Sequence, residues 1–206
     1  MDQKLLIPGA IILAGVIVAG AVWYSRMPPA WEKPGFLGDS KPGFKEAGGD
    51  SLKIRKNDFV LGNPAAKVVL IEYGDFQCPF CGRFFKTAEK QIMENYVKTG
   101  KAVFIWRDFA FLGEESFRSA EATRCAGEQG KFWEYHDYLF NNQQGENEGA
   151  FSDQNLKRFA KELKLDEAKF NSCFDSGKYK KVVEDATAEG KSLGVNGTPA
   201  TFINGQ

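Results

Sequence analysis

Histidine is almost missing from this chain: His136 stands alone in 206 residues, and cysteine appears only four times. A structural zinc site needs four ligands, usually two Cys-x-x-Cys pairs or one pair plus two histidines. Cys78 and Cys81 form one such pair, while Cys125 and Cys173 stand far from it and from each other. The count therefore speaks against a zinc centre, and neither a metal nor a cofactor is expected. An excess of either charge is missing too. The 27 basic and 27 acidic side chains cancel, and no long basic run occurs, so nucleic acid is not an expected partner. No cysteine borders the apolar N-terminal run, which excludes a lipoprotein signal, and no internal repeat is visible. Phenylalanine, by contrast, is abundant. Eighteen of them raise the aromatic content to 14%, enough for a real core. The length allows one domain of ordinary size with additions.

Residues 5–24 are apolar without one charged side chain, the length a helix needs to cross a bilayer. Trp23 and Tyr24 close the run, as interface aromatics do. A cleaved signal peptide is the competing reading, with Ala19-Gly20-Ala21 as a small-residue cleavage site and Lys4 as a minimal positive region. The run exceeds the usual length of a signal peptide's apolar core, which favours a retained anchor. Residues 25–57 hold Pro28, Pro29, Pro34 and Pro42 among several glycines, with no apolar period, and read as a flexible tether. The folded part is expected over 58–206.

That part is organised around Tyr73-Gly74-Asp75-Phe76-Gln77-Cys78-Pro79-Phe80-Cys81. Residues 67–72 form an apolar, β-branched stretch and read as a buried strand. Residues 82–93 read as a helix continuing to about 98, with Gly100 as its stop. Cys78 then falls at a helix N-terminus, where free N–H groups and the helix dipole favour a thiolate. Cys81 lies one turn on, within reach of a disulfide. Pro79 suits the first turn because its missing N–H is no loss there. Half a zinc site and an inert structural disulfide are the bland readings of the pair. Residues 61–64 read as a turn, Asp75 as a turn residue, and 102–106 as a second strand parallel to the first. Five helices are expected over 114–129, 131–142, 152–163, 166–176 and 178–193, punctuated by Gly130, Gly145, Gly149, Gly177 and Gly194, with Ser152 and Asp166 as N-caps. His136 sits in an aromatic helical stretch and reads as a packed or surface residue. Residues 200–203 read as a strand, and Asn204-Gly205 as a hairpin turn.

Glu72-Tyr73-Gly74-Asp75-Phe76-Gln77-Cys78-Pro79-Phe80-Cys81, followed far downstream by Gly197-Thr198-Pro199-Ala200-Thr201-Phe202, resembles the DsbA-like branch of the thioredoxin superfamily. The resemblance runs from about residue 58 to the end. It implies an α/β chain, a thioredoxin fold with an all-helical domain inserted at about 111–194; the one transmembrane helix read at residues 5–24 precedes it. It implies a cis-proline at Pro199, packed against the cysteines, with Thr198 offering its backbone to substrate. It implies that Cys78 attacks and Cys81 resolves, and that Glu72 is the family's buried acid, against a half-exposed strand-end role. It also implies a second, structural disulfide between Cys125 and Cys173; free thiols and an electron-relaying pair are the alternatives. The family has a further strand and helix after the hairpin turn, so the domain is expected to lack its final strand and helix. Phe80 replaces the histidine common in relatives and can give the thiolate neither a hydrogen bond nor positive charge, so the pair is expected to be less oxidising than in DsbA.

The expected activity is thiol:disulfide oxidoreduction on cysteines of secreted or membrane proteins outside the cytoplasm, as an oxidase. A reductase or isomerase is the runner-up, and a non-catalytic tethered binding module is the reading from another class. Expected partners are reduced or misoxidised extracytoplasmic polypeptides, a membrane redox protein that recycles the disulfide, and the membrane through residues 5–24.

Overall fold

The structure, a computed structural model, describes residues 52–206. The anchor expected at 5–24 and most of the tether lie outside the described residues. Among the described residues no helix is long and apolar enough to cross a membrane. Leu52 is already buried, and Arg55 hydrogen-bonds Glu189, so packed chain precedes residue 58.

Among the described residues four strands make one sheet: β1 (Phe59–Gly62), β2 (Val68–Gly74), β3 (Ala102–Asp108) and β4 (Ala200–Ile203), in the order β1-β3-β2-β4. Leu61 and Gly62, expected in a turn, extend β1 instead, paired with Phe104 and Val103. Strands β2 and β3 are parallel, with Glu72 beside Trp106, and β1 and β4 flank them antiparallel. Both central strands are apolar nearly throughout because both faces are covered. Ile71, Tyr73 and Ile105 pack on one face with Phe109 and Val195. The other face presents Trp106, which stacks on Phe76 at 4.8 Å between centroids and joins the helical core. Gly74 lets that indole in: a Cβ there would lie 2.1 Å from its Cη2.

The crossover between β2 and β3 is one helical rod, α1. It is α-helical over Pro79–Phe84 and Lys90–Ile92 and π-helical over Phe85–Glu89 and Met93–Val97. The sequence announces a helix here but gives no sign of the wider turns. Five helices follow: α2 (Glu114–Gly127), α3 (Phe132–Asn141), α4 (Asp153–Glu162), α5 (Glu167–Asp175) and α6 (Lys180–Ser192). They close on Tyr135, Leu139, Phe159, Phe170 and Phe174, all nearly inaccessible. The Tyr135 hydroxyl donates to the Leu156 carbonyl at 2.7 Å. Cys125 on α2 and Cys173 on α5 are joined by a disulfide. Asp166 caps α5 through the Lys169 N–H, whereas Ser152 precedes α4 without a side-chain cap bond. Gly130 and Gly194 end their helices with positive φ, and the next N–H reaches back five residues, to Ala126 and Gly190.

Candidate active site

Cys78 is the N-cap of α1. The strand delivers it there because Asp75 folds the intervening loop. The Asp75 carboxylate accepts from the N–H groups of Gln77 (2.8 Å), Phe111 (2.9 Å) and Leu112 (3.3 Å) and from the Ser116 hydroxyl (2.7 Å). Reading Asp75 as a simple turn residue understates it: it is 2% exposed and ties the cysteine loop to the start of the helical insertion. The Cys78 N–H donates to the Asp75 carbonyl, and the Gly82 N–H makes the first helical bond to the Cys78 carbonyl, each at 3.1 Å. Gln143, beyond α3, donates from Nε2 to the carbonyls of Phe76 (2.9 Å) and Cys78 (2.8 Å). Its Oε1 fills the space a Cβ on Gly82 would need. Asn147 donates its N–H to Gln77 Oε1 at 2.6 Å. These clasps come from residues 143–147, a polar loop whose sequence carries no periodic or motif signal.

Both active-site thiols are free, and both are buried: Cys78 is 4% and Cys81 0% exposed. Thiol–disulfide exchange requires access to the attacking sulfur. The Cys78 Sγ is instead packed against the loop that carries Thr198 and donates to the Thr198 carbonyl at 3.4 Å. Exposure passes to its neighbour Phe80, which is 59% accessible, with the Arg83 guanidinium 5.4 Å from its ring centroid. The Thr198–Pro199 peptide is cis.

The two thiols are driven apart in acidity. A hydrogen bond from Cys81 lowers Cys78 to about 6, helped by Thr198 and by the N–H groups of Cys81 and Phe80, against the opposing effect of burial. Giving that bond and being buried push Cys81 far upward. Glu72 is 1% exposed, and its Oε2 has no partner. Burial raises its pKa well above its ordinary value, and the charges of Glu89 and Cys78 raise it further. Both effects favour the protonated form of this carboxyl. His136 is fully buried among aromatic rings.

A Cys-x-x-Cys at a strand-to-helix junction, faced by a cis-proline loop and covered by a helical insertion, defines a thiol–disulfide oxidoreductase of thioredoxin fold. A family model described as Thioredoxin matches residues 55–206. The probable disulfide bond formation protein D of Bacillus cereus is 28% identical over 99% of this chain and 90% of its own length. The crystal structure of Wolbachia pipientis alpha-DsbA1 superimposes with a TM-score of 0.68 at 27% identity, covering 77% of this chain and 79% of that one. A Na(+)/H(+) antiporter NhaA 1 of Salinispora arenicola is 32% identical over 88% of this chain, which spans only 26% of the antiporter's length. The chain belongs to the thioredoxin family, in its DsbA-like branch.

Proposed function

We propose that the protein is an extracytoplasmic oxidase that passes a Cys78–Cys81 disulfide to cysteine pairs of secreted or membrane polypeptides. The observation that carries this is the acidity of Cys78. A thiol lowered to about 6 is mostly thiolate at pH 7, and stabilising the reduced state makes the disulfide the more willing to be reduced. In the oxidised protein, a substrate thiolate attacks Cys78 Sγ. The Cys78–Cys81 bond breaks, and its electron pair goes to Cys81. The Cys81 thiolate is strongly basic in this site, and Glu72, whose burial favours its protonated form, is the acid that hands it a proton. A second substrate thiolate then attacks the substrate sulfur of the mixed disulfide, and Cys78 departs as a stable thiolate. Pro79 and Phe80 form the exposed approach, while Thr198 and Pro199 present the backbone wall against which an extended substrate lies. Cys125–Cys173 serves as a structural tie.

In this reading residues 1–24 anchor the chain, 25–57 tether it, and 58–206 form the catalytic domain, with the insertion at about 111–194. A membrane redox protein reoxidises Cys78 and Cys81. The B. cereus relative named for disulfide bond formation, matched along nearly its whole length, supports this assignment.

Equilibration with glutathione tests it. The wild-type pair should poise above thioredoxin's roughly −270 mV and below DsbA's roughly −120 mV, and the oxidised chain should form disulfides in a reduced unfolded polypeptide. Phe80→His, which adds a donor and partial positive charge beside the thiolate, should move the potential toward the DsbA value. A wild-type potential at or below thioredoxin's would make the protein a reductase. Failure to exchange with any dithiol would leave a binding module.

A further inference from the structure

About two turns beyond Cys81, α1 buries a second carboxyl. Glu89 is 5% exposed, and its Oε2 lacks a hydrogen-bond partner. Helix α3 brings His136 and Asp137 to it, and one ligand-type atom from each of the three lies within 4.8 Å of the others. His136 is wholly buried, with Phe76, Phe85, Trp106 and Phe140 crossing its ring steeply. Its Nδ1 is 2.9 Å from Asp137 Oδ1, and its Nε2 has no partner.

Neither neutral tautomer satisfies this imidazole. A proton on Nδ1 serves Asp137 but strands the Nε2 lone pair among aromatic rings. A proton on Nε2 meets those rings as weak acceptors, but then the Nδ1 lone pair and a carboxylate oxygen face each other across 2.9 Å. A cation shared by Nδ1 and Oδ1 removes that conflict. Glu89 supplies a third ligand, and two carboxylates neutralise a divalent charge, which a buried ion requires. Access exists as well. A groove of about 540 Å³, walled by Met93, Val97 and Trp133, has Glu89 and Asp137 among its lining residues.

We propose that Glu89, His136 and Asp137 form a divalent transition-metal site, with zinc as its representative ion and water from the groove as the fourth ligand. One imidazole with two carboxylates is a donor set that zinc accepts, and three protein ligands with one open position is a common zinc arrangement. Counting only histidines and cysteines in the sequence overlooks it, because two of its ligands are carboxylates. The ion clamps the active-site helix to α3 of the insertion and holds α1 in register behind the cysteines.

The test uses the full chain, stripped of metal and fully oxidised so that no thiolate can bind the ion. Calorimetric titration with Zn²⁺ should show one ion per chain at micromolar affinity or tighter, with a rise in Tm. Glu89→Gln combined with Asp137→Asn should weaken binding at least tenfold while melting cooperatively without zinc. Co²⁺ in place of Zn²⁺ should give ligand-field bands that the double variant loses. No saturable binding up to millimolar Zn²⁺, or an unchanged affinity in the folded double variant, overturns the site.

Discussion

Cys78 and Cys81 are the same side chain three residues apart, yet their acidities diverge because each fixes the other. One sulfur sits at the helix end and receives the hydrogen bond; the other, deeper, gives it. The folded pKa of Cys78, about 6, lies below the roughly 8.5 of an unfolded cysteine. The thiolate therefore stabilises the reduced fold fully above about pH 8.5, and this contribution is lost as the pH falls through about 6. This contribution belongs to the reduced protein alone, since only there is Cys78 a free thiol. Iodoacetamide should accordingly label Cys78 with a rate that rises through a midpoint near pH 6, leaving Cys81 unmodified. A midpoint near 8.5, or preferential labelling of Cys81, would remove both the acidity and the assignment of the attacking sulfur. Sequence alone placed Cys78 at a helix start and so indicated the direction of its shift. It could not show that the sulfur would be buried, because the covering Thr198 is 120 residues away. Glu72 was open between two roles for the same reason: its burial depends on the helix laid over the sheet.

At the scale of elements, the helices of the insertion were legible because their boundaries are local. Gly130, Gly177 and Gly194 mark their ends, and Phe, Tyr and Leu recur on the buried faces. What was not legible is what holds the insertion to the active site. Asp75, Gln143 and Asn147 act through backbone groups distant in sequence, and nothing in a Gln-Gln-Gly-Glu-Asn run foretells its partners. The π-helical turns of α1 are equally silent, since Phe85–Glu89 and Met93–Val97 have ordinary helical composition. One helix end departs from the glycine rule. After α4, Lys164 takes φ 58 and Leu165 N–H reaches back to Ala160, the geometry that glycine supplies at Gly130 and Gly194. A Cβ in that conformation costs on the order of 1 kcal/mol, and Lys164 is exposed. Lys164→Gly should therefore raise stability in denaturant melts by a fraction of that cost, after the added flexibility of the unfolded chain is subtracted. A clear loss of stability would show that the lysine side chain contributes more at this helix end than its backbone strain costs.

For the molecule as a whole, the proposed chemistry and the proposed anchor constrain one another. Residues 5–24 give almost no orientation signal of their own, since Lys4 on one side is answered by Arg26 and Lys33 on the other. The cysteines supply what the flanking charges do not. Cys125 and Cys173 are joined across 48 residues, a closure worth about 4 kcal/mol in the chain-entropy picture, and such a bond persists where the surroundings are oxidising. An oxidase also needs its substrates unpaired, as they are when polypeptides first emerge from the membrane. If both demands hold, the proposed topology has the catalytic domain outside and residues 1–4 inside. Protease added to intact cells or spheroplasts should then degrade the domain while a cytoplasmic marker survives. Thiol-blocked lysates should show Cys125 and Cys173 already paired. If the domain survives along with the marker until the membrane is broken, the chain faces the cytoplasm. There a low-pKa Cys78 would work against a reducing pool, and the direction of exchange proposed for it would have to be reversed.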